Sequence, residues 1–172
     1  MDIEKQLNHD HSKENTTKIV EYIVAHPERL SALMKIFLHG EWRLVQRSAW
    51  VVGDLARKKS ELLIPYWPEM IENLKKENLH DAVKRNTVRT WQELPIPEDY
   101  FGEVAEICFG YLADNKEPIA VKCFSMTVLE KIVFSVPELK DELKFLIEEQ
   151  LPYGSAGFKN RGSKVLKSIA KL

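Results

Sequence analysis

The stretch Trp42–Lys59 reads WRLVQRSAWVVGDLARKK and decides the fold of this chain. Its apolar and small residues fall on one stripe, because spacings of four, four and three residues keep side chains on the same face of an α-helix. These positions are Val45, Ala49, Gly53 and Ala56. Three of the four are small, so we predict that another helix packs closely against this stripe.

The same spacing returns three times along the chain, and successive stripes lie 38, 38 and 37 residues apart. The later stripes begin at Val83, Val121 and Phe158. A second apolar set with the same period of 38 residues comprises Leu33, Ile71, Phe109 and Ile147. Two sets with one period indicate a tandem array of helix pairs, and the alternative is an irregular helical bundle. No segment shows the alternation that is typical of a β-strand.

Turn and capping residues set the expected helix boundaries. Asn15 or Thr16 is suited to cap the first long helix, and Pro27 is suited to open the next one. Pro65 and Pro68 cannot lie deep inside a regular helix, so the helix that they enter should have an irregular or delayed start. The expected later helices are 41–59, 61–77, 80–94, 98–114, 118–135, 137–150 and 157–171.

Composition limits the class of protein. The 172 residues are 44% hydrophobic, which is enough for a real core, and the net charge of −1 argues against a uniformly basic nucleic-acid binder. We divide the chain into a polar N-terminal segment, 1–14, which is loose or forms one short helix, and a single repeat domain, 15–172. The polar N-terminus resembles no signal peptide and no apolar run could span a bilayer, so we expect a cytoplasmic protein without a membrane partner. Cys108 and Cys123 lack metal or redox spacing, which fits a reducing compartment.

Helix pairs of this length, whose second helix carries Val, a small residue and two apolar residues at these spacings, resemble HEAT repeats. Many HEAT second helices have a basic residue directly after the Val. Lys84 and Lys122 match that position, whereas Gln46 departs from it. The resemblance covers about residues 16–171. It implies an all-α fold, an α-α superhelix (solenoid) of about four to five HEAT-like helix pairs, in which the second helices line the concave side.

Charge separates between the two sets of helices. The second-helix stretches together carry ten more basic than acidic residues, and the first-helix stretches carry ten more acidic than basic residues. At about 100° per residue, Arg47, Val51, Asp54 and Lys58 point away from the core stripe of the first full repeat. We therefore predict a basic concave face; the alternative is that solvated helix faces carry this charge incidentally. The expected binding residues are Arg47, Trp50, Asp54, Lys58, Arg85, Arg89, Arg161 and Lys164.

Three of these residues form a constellation of their own. Trp50 and Asp54 are one helical turn apart, and Arg89 is expected near Asp54 on the next second helix. This resembles the aromatic, acidic and arginine residues of HEAT-like DNA alkylation-repair glycosylases. The resemblance implies that Trp50 contacts a damaged nucleotide, Asp54 favours a cationic transition state and Arg89 holds a backbone phosphate. The alternative is structural: Trp50 packs toward a neighbouring repeat, and Asp54 pairs with Arg47, Arg85 or Arg89.

Common catalytic and cofactor-binding motifs are missing. The chain has no Gly-x-Ser-x-Gly, no His-Glu-x-x-His, no phosphate-binding glycine loop and no dinucleotide fingerprint. The pair His9-x-His11 supplies too few ligands for a metal site. His26, His39 and His80 lie near expected helix ends, where capping is the ordinary role. We therefore expect no cofactor and no metal, and Asp54 is the sole speculative catalytic residue.

Our primary functional expectation is a non-enzymatic HEAT-repeat module that binds an acidic protein segment or another polyanion on the basic face. The first alternative is a DNA-binding or alkylbase-excising protein that uses Asp54. The second alternative is a structural subunit of a larger assembly, which its N-terminal helix and Leu166–Leu172 would contact. The sequence leaves the partner, the pathway and the oligomeric state open.

Overall fold

The computed structural model describes residues Met1–Leu172, which form ten α-helices, short 3₁₀ turns and no β-strand. In chain order the helices make five successive pairs, so the predicted all-α architecture of a HEAT-like solenoid is confirmed. The helices are α1 (Ile3–His9), α2 (Lys13–Ala25), α3 (Leu30–His39), α4 (Trp42–Lys58), α5 (Trp67–Leu74), α6 (Asp81–Trp91), α7 (Phe101–Ala113), α8 (Ile119–Ser135), α9 (Lys140–Gln150) and α10 (Ala156–Ile169).

The first long helix begins earlier than its sequence suggested. Helix α2 starts at Lys13, and its N-cap is Ser12, whose Oγ accepts a hydrogen bond from the Asn15 N–H at 3.1 Å. Asn15 and Thr16 are therefore not the capping residues, because both lie inside the first turn with buried side chains. Serine is as good a cap as asparagine, and the cap is fixed by the residue whose backbone is still extended.

The prolines act as predicted. Pro27 opens a 3₁₀ turn that leads into α3, and two further 3₁₀ turns delay the start of α5 until Trp67. Pro68 then lies within the first turn of α5, where its missing N–H leaves no helical hydrogen bond unmade. As a result, α5 is only eight residues long.

The chain folds into two compact units, Met1–Pro95 and Ile96–Leu172. The division falls in the segment Leu94-Pro95-Ile96-Pro97, which the sequence marked as a helix breaker. The first unit contains α1 to α6, and the second contains α7 to α10.

Helix α4 is the central element of the first unit, since α1, α2, α3 and α6 all pack against it. Its buried face includes Ser48, Val52 and Leu55, each 0% exposed. Trp67 of α5 and Trp91 of α6 stack on each other, with their indole centroids 5.0 Å apart. Because four helices pack against α4, seven of its 17 residues are buried.

The polar N-terminal segment contains one ordered helix, the second of the two forms expected for it. Ile3 and Leu7 of α1 are buried, at 5% and 2% exposure. The side-chain amide of Asn15 donates to the carbonyl oxygens of Gln6 at 2.9 Å and Asp10 at 2.7 Å. These contacts attach α1 and the following turn to α2.

In the second unit, α8 packs between α7 and α10. Gly162 of α10 allows a close approach, because a Cβ added there would lie 2.8 Å from Ile147 Cγ2 and 3.4 Å from Leu151 Cδ2. The predicted role of a small residue on the stripe is therefore realised at this position. Lys122, 4% exposed, donates from Nζ to Gln150 Oε1 at 2.7 Å.

None of the ten helices combines the length and the apolar character that crossing a bilayer requires.

Candidate functional site

A cavity of about 260 Å³ lies on the outer side of α4 in the first unit, between α2 and α6. Its wall combines an aromatic ring, small residues and four charged side chains. The lining residues are Lys13, Thr16, Ala49, Trp50, Gly53, Asp54, Arg57 and Arg89. Trp50, Asp54 and Arg89, which the sequence grouped together, therefore line one cavity.

Trp50 is about half-exposed, and its ring contacts His11, which lies in the turn between α1 and α2. Its side chain is 46% exposed, and its ring lies 4.5 Å from the His11 ring, at an interplanar angle of 56°. Trp50 therefore contacts the preceding helix pair, as the structural alternative expected, but part of its indole stays exposed. The buried face of α4 is occupied by aliphatic and small residues, which leaves the indole at the edge of the cavity.

Gly53 forms the open centre of the cavity wall. A Cβ added to it would meet nothing closer than Arg57 Nη1, at 3.9 Å. The sequence placed Gly53 on the core stripe, but the residue is half-exposed and no helix approaches it. Trp50, Gly53, Asp54 and Arg57 share one helical face, so the missing side chain at Gly53 leaves a gap within that face.

Asp54 pairs with Arg57 and not with Arg47, Arg85 or Arg89, the three partners that the structural alternative named. The Arg57 guanidinium donates to Asp54 Oδ1 and lies 3.9 Å from Glu93 Oε1. An i,i+3 pair on one helix needs no second element to bring its partners together. The carboxylate of Asp54 is thus already neutralised by a cation within its own helix.

Lys13 and Arg89 supply unpaired positive charge at this cavity. Both side chains are exposed, and neither makes a hydrogen bond or an ion pair within the chain. Since Asp54 and Arg57 compensate each other, these two cations give the cavity a net positive charge.

Arg47 has a structural role. Its Nη1 donates to the carbonyl oxygens of Leu7 at 2.8 Å and Asn8 at 3.1 Å, in the last turn of α1. The sequence predicted that the Arg47 guanidinium would be free to bind a partner. In the structure α1 packs against α4, and its carbonyl groups accept the hydrogen bonds of this guanidinium. Val51 likewise does not face outward, because it is 0% exposed.

Lys58 and Arg85 lie outside the cavity wall. Lys58 is exposed at the end of α4, and Arg85 is half-exposed on α6. Neither side chain has an intramolecular partner.

In the second unit, the two predicted binding residues differ in availability. The Arg161 guanidinium of α10 donates to Thr127 Oγ1 of α8. Lys164 is exposed and unpaired. Burial raises the pKa of the nearby Cys123 thiol, and Arg161 acts in the opposite direction.

Of the three histidines expected near helix ends, only His80 makes a capping hydrogen bond with its side chain, whereas His26 and His39 each lie beside a glutamate. His80 Nδ1 accepts a hydrogen bond from the Ala82 N–H at 3.1 Å, and His39 Nε2 lies 3.2 Å from Glu69 Oε1. The His11 ring, in the turn before α2, contacts the Trp50 ring. No three potential metal-ligating side chains cluster anywhere in the structure.

The sequence reasoning missed Lys13, Thr16, His11 and Arg57. The first three belong to the segment assigned as polar and loose or to its boundary, so no repeat position pointed to them. Arg57 could have been found, because an Asp followed three residues later by Arg on a helix predicts an ion pair.

A family model described as a HEAT repeat domain matches residues 3–169. No curated protein and no solved structure matches the chain significantly.

Proposed function

Because this chain belongs to the HEAT repeat domain family, we propose that it is a non-enzymatic interaction module that binds an acidic protein segment on the basic face of its second helices. HEAT repeats generally mediate protein interactions. The observation that carries this proposal is the pair of unpartnered cations, Lys13 and Arg89, beside the exposed Trp50 in one cavity.

The state of each cation decides which ones serve a partner. Arg47, Arg57 and Arg161 already hold intramolecular acceptors, so a ligand would have to displace those acceptors. Lys13 and Arg89 have no such contact to break, and a carboxylate can pair with them directly. Their field also speeds the encounter with an acidic chain. Within the first unit, Lys58 and Arg85 offer further exposed charge for a longer segment.

The test uses a short, fluorescently labelled peptide rich in Glu and Asp, with binding followed by anisotropy. The double variant Lys13→Glu/Arg89→Glu should bind about tenfold or more weakly than the native chain, because two charge pairs become repulsive. The matched control is Arg29→Glu/Lys35→Glu, which changes the same total charge at exposed residues of the α3 side.

Comparable losses in the site variant and the control would contradict the proposal, because binding would then depend on net charge alone. Absence of binding to the native chain at low salt would also contradict it. A loss confined to the site variant, seen mainly in the association rate, supports it.

A second candidate function is binding of DNA with excision of alkylated bases, because Trp50, Asp54 and Arg89 line the same cavity. Its chemical obstacle is Arg57, which must release Asp54 before that carboxylate can stabilise a cationic sugar. This candidate requires salt-dependent affinity for a labelled duplex and release of alkylated bases that Asp54→Asn abolishes. A chain that neither binds the duplex at low salt nor releases such bases is not a glycosylase of this kind.

The role of a structural subunit receives less support from the ends of the chain. Ile3 and Leu7 are already buried against the fold, and so is Ile169. Met1, at 41% exposure, and Leu172, at 46%, are the large apolar side chains that remain exposed at the two ends. A docking site at either end would therefore offer little apolar area.

A further inference from the structure

The cavity beside Trp50 has a shape that charge attraction alone does not require. Three of its lining positions are Thr16, Ala49 and Gly53, and these small residues leave room between the indole and the cations. At about 260 Å³ the cavity is smaller than the roughly 300–1,000 Å³ of typical small-molecule sites. That size suits one side chain of a partner better than an entire ligand.

The chemistry of the wall indicates which kind of side chain. Ala49 is 6% exposed, Gly53 has no side chain, and Trp50 presents an aromatic surface that is only partly covered by His11. Apolar side chains gain free energy when such surfaces exclude water, and an aromatic wall favours aliphatic or aromatic contact. Lys13 and Arg89 lie around the same opening and would pair with acidic neighbours of that side chain.

We propose that the cavity beside Trp50 receives a single aliphatic or aromatic side chain of the bound protein segment, and that acidic residues flank this side chain in the segment. This rests on the proposed function and names the motif that the segment carries. The apolar side chain fixes the register of the segment, and the flanking carboxylates lie toward Lys13 and Arg89.

The test compares two short labelled peptides of identical net charge, one with leucine and one with glycine at the centre of a Glu/Asp-rich sequence. Burial of the leucine should make the first peptide bind about tenfold more tightly than the second. The protein variant Gly53→Leu should fill the cavity from within and bring both peptides to the weaker affinity.

Gly53→Leu keeps every charge, and the open space around Gly53 accommodates the new side chain. Leucine also favours helix more than glycine does, so the variant should fold. The matched control is Gly110→Leu on α7, because that glycine also has open space around it but does not line the cavity. It should retain the preference for the leucine peptide.

Equal affinity of the two peptides for the native chain would overturn the cavity proposal. If both peptides then still lost affinity to Lys13→Glu/Arg89→Glu, the charge-based function would stand without it. Failure of both peptides to bind the native chain would overturn the function and the cavity proposal together. Retention of the leucine preference by Gly53→Leu would place the apolar contact elsewhere and overturn the cavity proposal.

Discussion

The Arg47 guanidinium donates a hydrogen bond to the carbonyl oxygen of Leu7 at 2.8 Å, joining the second turn of α4, the central helix of the first unit, to the last turn of α1. A second bond reaches the Asn8 carbonyl oxygen at 3.1 Å. The last carbonyl groups of a helix have no partner within it, and a cation near them also complements the helix dipole. One side chain thus anchors the N-terminal helix and is removed from the surface available to a partner.

Replacement of Arg47 by alanine should loosen α1. The loss of hydrogen bonds from a charged donor to two backbone carbonyl groups should lower the free energy of unfolding by about 1–3 kcal/mol. Urea unfolding measures the total, and hydrogen exchange should show faster opening of Ile3–His9. The control is Arg43→Ala on the same helix, which removes only a contact with the exposed Trp42 ring. Equal effects of the two variants would contradict the anchoring role.

Alanine should have opposite effects at two glycines of the second helices. Gly53→Ala should raise the free energy of unfolding by about 0.5–1 kcal/mol, because its site is open and alanine favours helix. Gly162→Ala should lower it by about 1–2 kcal/mol, since the new Cβ would clash with Ile147. Urea denaturation compares both variants with the native chain. If the free energy of unfolding changed in the same direction in both variants, the packing described around one of the two glycines would be wrong.

The period of the sequence predicted the helix pairs but misplaced the face of α4. Val45, Ala49 and Ala56 are buried as expected, whereas Gly53 is not. The buried sector is rotated by about 60° relative to the predicted stripe, toward Ser48 and Val52. Four neighbouring helices set that sector, and their positions are not encoded in the spacing of one helix.

The candidate site could be predicted only in part for the same reason. Trp50, Asp54 and Arg89 were grouped correctly because repeat registers bring adjacent second helices to similar levels. Lys13 and Thr16 come from α2, which precedes the first full repeat and shares no register with α4. The use of Arg47 by α1 also depends on how an irregular N-terminal segment packs, and a repeat pattern says nothing about that.

The buried Lys122 should depend on Gln150. Gln150 Oε1 accepts from Lys122 at 2.7 Å, and its Nε2 donates to the Leu112 carbonyl oxygen at 2.9 Å. Burial lowers the pKa of Lys122, while Asp114 and Glu117 oppose that shift. Gln150→Met should lower the free energy of unfolding by about 2–4 kcal/mol, because it leaves a buried ammonium group without this acceptor.

A double-mutant cycle provides the control for this pair. Lys122→Met/Gln150→Met should cost less than the sum of the two single variants, with a coupling of about 0.5–3 kcal/mol. Additive losses would mean that the hydrogen bond contributes nothing specific to stability.

The two cysteines should differ in reactivity. Burial raises the pKa of Cys108 to about 12, although the neighbouring Ser125 acts in the other direction. Little thiolate is therefore present at mildly alkaline pH, and the side chain is also inaccessible. Iodoacetamide should modify Cys108 only after unfolding, whereas the half-buried Cys123 should react slowly in the folded protein. Mass spectrometry of peptides from native and urea-treated samples distinguishes the two sites, and rapid native labelling of Cys108 would contradict its burial.

The most direct test of the binding site observes the indole N–H signals of the four tryptophans by NMR while an acidic peptide is added. Trp50→Phe identifies the signal of the cavity residue. Binding at the cavity should shift the Trp50 signal progressively to saturation. The signals of the buried Trp67 and Trp91, and of Trp42 at the first position of α4, should change much less. Saturable binding that leaves the Trp50 signal unmoved would contradict the central claim that an acidic partner docks at the cavity on α4 between α2 and α6.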